Sequence, residues 1–308
     1  MADSETQLEK WTRILGSIIA PTTVLTAVLF YFGYVSARAE YEYFGLDVDT
    51  TGLSTQEYIM RSGQTLFVPL LGLILLTVAL LMLHAWITKR IAPTPGTEPT
   101  PRLPAVNLQR VRLLARAARA VGALVLAAGI VLLPAYAWLR DWAPYSLVTP
   151  LLLASGAALF AYATYIVNVL QRNKSDVSAQ GAAISRLVQV LLIGCVIASI
   201  FWATATVAEG VGRAQAMDIA KRLDTLPSVI LDTKEQLFLR DPGVAETELA
   251  PPSAGQTFHY RYRHLRLLIE GKDRMFLVPD KWCASDSTLI VPLDGSVRVQ
   301  FQFQNHPP

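Results

Sequence analysis

Charge is scarce in this 308-residue chain. Only 17% of its residues are Asp, Glu, Lys or Arg and 52% are hydrophobic, whereas soluble domains carry about 25% charged residues. The net charge is +3, and the basic residues gather in blocks beside apolar runs rather than along one stripe, so no electrostatic footprint for nucleic acid results. Cysteine is nearly absent. Cys195 and Cys283 fall in segments of different character, which excludes a disulfide framework and a cysteine metal site. The common catalytic signatures are missing too: there is no G-x-S-x-G elbow, G-x-x-x-x-G-K phosphate loop, G-x-G-x-x-G turn or H-E-x-x-H helix. The apolar runs hold no Asp, and their one histidine, His84, lies near the end of its run beside Trp86, an interfacial position. Ser155 beside Gly156 imitates a nucleophile but has no histidine partner at similar depth. The expectation is a protein that is not an enzyme and holds no cofactor or metal.

What is abundant is uninterrupted apolar sequence, and the mean hydropathy is +0.36. A bilayer core about 30 Å thick requires roughly 20 apolar residues of helix. Five segments meet that condition, 14–37, 65–88, 120–139, 145–171 and 187–208, and none has an acidic or basic residue in its interior. The first run follows Lys10 and Arg13 as a signal peptide would, but it stays uncharged to Ala37, longer than an h-region of about 7–15 residues, and reads as a retained span. The fold class expected is a membrane all-α bundle of five transmembrane helices with a small C-terminal extracytoplasmic α+β domain. Residues 1–13 form a cytoplasmic N-terminus, 14–208 the membrane domain and 209–308 the outer domain.

Orientation follows from the short loops, because Lys and Arg concentrate on the cytoplasmic side. The second loop carries Lys89, Arg90, Arg102, Arg110, Arg112, Arg116 and Arg119, and the fourth carries Arg172, Lys174 and Arg186. The first loop is acidic instead, with Glu40, Glu42, Asp47, Asp49 and Glu57 against Arg38 and Arg61. The second loop also holds a proline-rich connector, 92–104, with Pro93, Pro95, Pro99, Pro101 and Pro104, which reads as a spacer. Arg112, Arg116 and Arg119 share one helical face and are candidates for anionic lipid headgroups.

The spans themselves carry hydroxyls and small residues. Ser199, Thr204, Thr206 and Gln189 in the fifth are candidates either for lining a water-filled path or for helix packing, and Gly194 with Ala198 and Ser199 with Ala203 would permit close helix approach. Glu209, the first acid after the fifth span, has Arg213 one turn later. In an assembly of several copies a ring of Glu209 would concentrate cations; in a single copy it makes an i, i+4 ion pair. The helical pattern continues through Ala220 to Leu223, and Pro227 stops it.

Beyond it the chain reads as an α+β domain. Short strands are expected at 229–231 and 237–239, and a long alternating one at 257–269, with Phe258, Tyr260, Tyr262 and His264 on one face and His259, Arg261 and Arg263 on the other. A turn at 270–273 returns the chain along 274–278. The segments 288–293 and 297–303, separated by Asp294-Gly295, read as a second hairpin. Arg261, Arg263 and Arg266 are candidates for an external interaction surface, and Glu42 of the acidic, tyrosine-rich first loop is a candidate partner for it.

Tyr31-Phe32-Gly33, Tyr43-Phe44-Gly45-Leu46-Asp47, Leu53-Ser54-Thr55-Gln56-Glu57-Tyr58 and Arg61-Ser62 together resemble a pattern found in uncharacterised multi-pass membrane proteins of actinobacteria, and the stretch from Tyr260-Arg261-Tyr262 to Leu268 is similar as well. The resemblance implies a bacterial plasma-membrane location and brings no activity with it. The first functional expectation is an oligomeric channel-like or pore-gating protein. The alternative is a non-conducting, membrane-anchored sensory or interaction protein that binds a partner through its external domain. Secondary transport fits less well, since no inverted repeat and no intramembrane charge is visible. The partners expected are the bilayer, further copies of the chain and anionic lipid.

Overall fold

A computed structural model describes residues 2–91, 105–139, 142, 144–171, 179–239, 241–250, 255–283 and 286–302. The proline-rich connector 92–104 lies outside the described residues, as do the side chains of 14–20 at the start of the first expected span. The chain forms α1 (Ala2–Tyr43), α2 (Val48–Thr51), α3 (Thr55–Ile91), α4 (Ala105–Leu132), α5 (Tyr136–Leu139), α6 (Tyr145–Gln171) and α7 (Ala179–Lys221), followed by strands β1 (Ser228–Thr233), β2 (Ala245–Glu248), β3 (Tyr260–Glu270), β4 (Arg274–Pro279), β5 (Leu289–Pro292) and β6 (Val297–Gln302). Among the described residues, four helices are long and apolar enough to cross a membrane: Thr55–Ile87, Arg112–Leu132, Tyr145–Asn168 and Ile184–Lys221. The helix expected to run on to Leu139 ends at Leu132 instead. Pro134 has no N–H to continue it, and α5 begins afresh after a turn.

The chain divides into two compact units, Met1–Leu66 with Ala208–Pro308, and Phe67–Val207. In the second unit α4 and α6 touch backbone to backbone. A Cβ on Gly122 would stand 2.7 Å from the Phe160 nitrogen, and one on Gly156 would stand 2.5 Å from that of Leu126. Small residues permit this approach, which in lipid supplies dispersion contacts that larger side chains would prevent. The seam is therefore at α4 and α6. Gly194 of α7, expected to serve such packing, has nothing within 4 Å of its would-be Cβ. Tyr145 closes the other end of the pair by donating its hydroxyl to the Leu132 carbonyl at 2.5 Å.

The first unit is built from both ends of the sequence. Its sheet is antiparallel in the order β5-β4-β3-β1-β6, with β2 also pairing β3. The Asp294-Gly295 segment thus does not close a hairpin: β5 pairs β4, β6 pairs β1, and the two lie at opposite edges. Only residues 293–296 join them. Four strand gaps of about 4.8 Å exceed what so short a connection spans, about 3.5 Å per residue, so the sheet curls. The strand expected at 237–239 is absent, and β2 takes the place beside β3. The alternation of β3 also breaks. Val229 faces Leu265 but Leu231 faces Tyr262, so β3 carries one extra residue, a bulge at which His264 adopts φ 64°. Tyr262 and Leu265 consequently both enter the core, while His264 is exposed.

The apolar core of this unit is shared. Ala37, Tyr41, Leu46, Val48 and Tyr58 cluster with Ile269 and Phe276 of the sheet, and Phe44 clusters with Ala216, Leu223 and Val278. Ala37 and Tyr41 lie one turn apart on α1, Phe44 follows in the turn after it and Val48 opens α2, and each buried large side chain contributes roughly 1.5–3 kcal/mol. The Thr288 hydroxyl donates to the Phe44 carbonyl at 2.7 Å, and a capping box between Ser54 and Glu57 starts α3.

Candidate functional site

Three helices of the first unit meet at two contacts that only glycine permits. A Cβ on Gly33 of α1 would lie 1.9 Å from the Tyr58 carbonyl oxygen of α3, and one on Gly212 of α7 would lie 2.0 Å from that of Ser36. Just beyond these crossings the helices line a half-open cavity of about 460 Å³ formed by Ser36, Ala37, Glu40, Arg61, Gln64, Gln215, Asp218 and Ile219. The spacing explains the lining. Residues 36, 37 and 40 share one face of α1, 61 and 64 one face of α3, and 215, 218 and 219 one face of α7.

The polar groups are held in place. Glu40, whose side chain is 12% exposed, accepts from the Arg61 guanidinium at 3.2 Å, and that guanidinium lies over the Tyr41 ring at 5.4 Å. Burial pushes the Glu40 carboxyl above the usual carboxylate range, against the opposing pull of Arg61. Burial likewise pushes the Tyr41 hydroxyl well above its ordinary value. Gln215 donates to the Gln64 side-chain carbonyl at 3.4 Å, and Asp218 pairs with Arg222 on its own helix.

No protein family, curated protein or solved structure matches the chain. The cavity offers a guanidinium held by Glu40, two carboxylates and two amides in a half-open space. Such concave sites with a few convergent polar groups are the usual setting for a small ligand.

The residues singled out from sequence lie elsewhere. Thr204 donates to the Ile200 carbonyl at 2.8 Å, Thr206 to those of Ser146 and Trp202 at 3.2 Å, and Ser199 is buried. Gln189 is exposed. Glu209 meets Arg213 at 3.5 Å with both side chains more than half exposed, the i, i+4 pair expected of a single copy. Arg112 is partly buried, and Arg116 and Arg119 are exposed.

In the sheet of the first unit the candidates for an interaction surface part company. Arg261 binds the fully buried Asp232 through two hydrogen bonds of 2.8 and 3.1 Å, and Arg298 reaches the same carboxylate at 2.6 Å. Arg266 is itself buried, pairing with Asp280 and donating to the Leu226 carbonyl at 3.0 Å. Arg263 alone of the three is exposed, and Glu42 pairs with Arg38 at 2.6 Å. The first loop and the sheet do join, through Tyr41, Phe44 and Val48 rather than through these charges. Glu40 and Arg61 were visible only as loop charges, since 21 residues separate them. The available signal was the polar set Gln215, Asp218 on a helix that outruns its apolar segment.

Proposed function

We propose that the chain is a non-conducting, membrane-anchored receptor or interaction protein whose ligand is received by the unit formed from the first loop and the C-terminal sheet. The observation that carries this reading is the polar cavity between α1, α3 and α7, with its guanidinium fixed by Glu40 and Tyr41. Five spans in a bacterial plasma membrane, with a cytoplasmic N-terminus and this unit outside, accord with the apolar run at 14–37 and with the basic second and fourth loops.

The oligomeric channel reading has less support. The hydroxyls of Thr204 and Thr206 are spent on helix carbonyls, Ser199 is buried, and Glu209 has Arg213 as its partner. Reconstitution into liposomes tests the choice. Ion flux should not exceed that of empty vesicles; a flux that Glu209→Gln reduces would replace the receptor reading with the channel one.

A further inference from the structure

The cavity presents both signs of charge in a fixed arrangement. Arg61 is the one basic residue of its lining, while Glu40 and Asp218 bring two carboxylates, the latter shared with the exposed Arg222 one turn on, and Ser36, Gln64 and Gln215 neutral polar groups. A simple anion entering the space meets two carboxylates. A simple cation meets a guanidinium that Glu40 and Tyr41 hold still. Like-charge contact disfavours both, most strongly at the buried Glu40 end of the half-open cavity. A molecule carrying an ammonium and an acidic oxygen group a few bonds apart satisfies both sets of groups at once.

We propose that this cavity binds a small zwitterion, its ammonium on Glu40 and Asp218 and its carboxylate or phosphate on Arg61 beside the Gln64 amide. The proposal rests on the receptor reading above. Charge-assisted hydrogen bonds of this kind are the strong ones, and a guanidinium suits an oxyanion through two parallel donors. The volume, about 460 Å³, lies within the small-molecule range of about 300–1,000 Å³ and exceeds what the two charged groups occupy alone. The ligand therefore carries a further substituent, for which Ala37 and Ile219 provide the apolar wall. Two sources share this chemistry: a free amino acid, and the ethanolamine phosphate headgroup of a lipid.

The test uses the full chain in nanodiscs of phosphatidylglycerol, a lipid without an ammonium. Thermal unfolding is followed with leucine, with phosphoethanolamine, with phosphatidylethanolamine added to the disc, and with ethylamine or acetate as single-charge controls. Stabilisation by leucine or soluble phosphoethanolamine identifies a free ligand, and stabilisation by the lipid alone identifies a headgroup. Ethylamine and acetate should do nothing at the same concentration. Asp218→Asn removes an exposed carboxylate and its solvent-screened i, i+4 pair with Arg222 but leaves the crossings intact, so its unliganded melting temperature should stay close to wild type while affinity falls about tenfold, the loss of one charge-assisted contact. Arg61→Gln should weaken binding as well. No stabilisation by any zwitterion, an equal effect of either single-charge control, or unchanged affinity in Asp218→Asn would overturn the proposal. Liposome flux is read separately: absence of flux together with absence of binding removes the ligand class and leaves the receptor reading standing.

Discussion

Gly212 approaches Ser36 so closely that a methyl group on its Cα would stand 2.0 Å from the Ser36 carbonyl oxygen. The obstacle is backbone, which cannot rotate aside as a side chain would. Gly212→Ala and Gly33→Ala should therefore force α1 away from its neighbours and destabilise the first unit by about 1–3 kcal/mol or more. Gly63 of α3 has nothing within 4 Å, and Gly63→Ala should be neutral or stabilising by about 0.5–1 kcal/mol through helix propensity. Thermal unfolding of the three variants in one detergent checks the contrast. Equal destabilisation by all three would mean that the crossings are not close contacts.

Asp232 is the electrostatic centre of the sheet. Burial alone would raise its carboxyl, but hydrogen bonds from Arg261 and Arg298 outweigh burial and hold it below the usual carboxylate range. A depressed folded value means that its stabilisation is present above the ordinary carboxylate pKa and is lost as pH falls through the depressed one. Asp232→Ala should cost roughly 2–4 kcal/mol, toward the lower end for a buried pair because both arginines reach water, and the variant should lose less stability than wild type on acidification. Denaturant titrations at several acidic pH values measure both effects.

Glu40 has the opposite sign. Its folded value is raised by burial, so its contribution is fully present below the ordinary carboxylate pKa and is lost as pH rises through the elevated one. The first unit should gain stability on mild acidification, in a window above that of Asp232. Glu40→Gln should flatten that part of the pH profile. An unchanged profile in the variant would show that another group titrates there.

The two cysteines report topology. No disulfide joins Cys195, inside the apolar part of α7, to the exposed Cys283. In intact cells a membrane-impermeant maleimide should label a Cys195→Ser variant at Cys283 from outside. Labelling only after lysis would place the sheet in the cytoplasm and invert the proposed orientation.

Tyr262 is fully buried, and its hydroxyl accepts the Leu237 N–H at 2.7 Å. Tyr262→Phe removes the acceptor and keeps the ring, and should cost about 1–2 kcal/mol by leaving that donor less well satisfied. A loss below a few tenths would mean that water replaces the hydroxyl.

How much of this was legible differs by element. The four span-length helices are plain in the sequence because each contains a long run without charge, and β3 with β4 is plain because a short polar turn separates two apolar-rich segments. Asp294-Gly295 misleads because turn chemistry reports only that the chain bends. Which strands then pair is decided by β1, which sits between β3 and β6. The bulge at His264 is equally silent, since one inserted residue leaves no compositional mark. Tyr41, Phe44 and Val48 are apolar or aromatic residues among the charges of the first loop, which is the local sign of a segment that packs against something. Glu40 and Arg61 could not have been paired, because nothing local links two charges on separate helices.

The unit that holds the cavity is divided in sequence, and this sets an order on its birth. Residues up to Leu66 emerge from the ribosome before those from Ala208 onward, with the whole of Phe67–Val207 made between. Tyr41, Phe44 and Val48 therefore wait for Ile269, Phe276 and Val278 before their apolar faces are covered. β6, near the end of the chain, must then reach back to β1 to complete the sheet. A nascent chain halted after α7 thus carries an exposed adhesive surface at its beginning, a marker by which quality control could distinguish unfinished copies from complete ones.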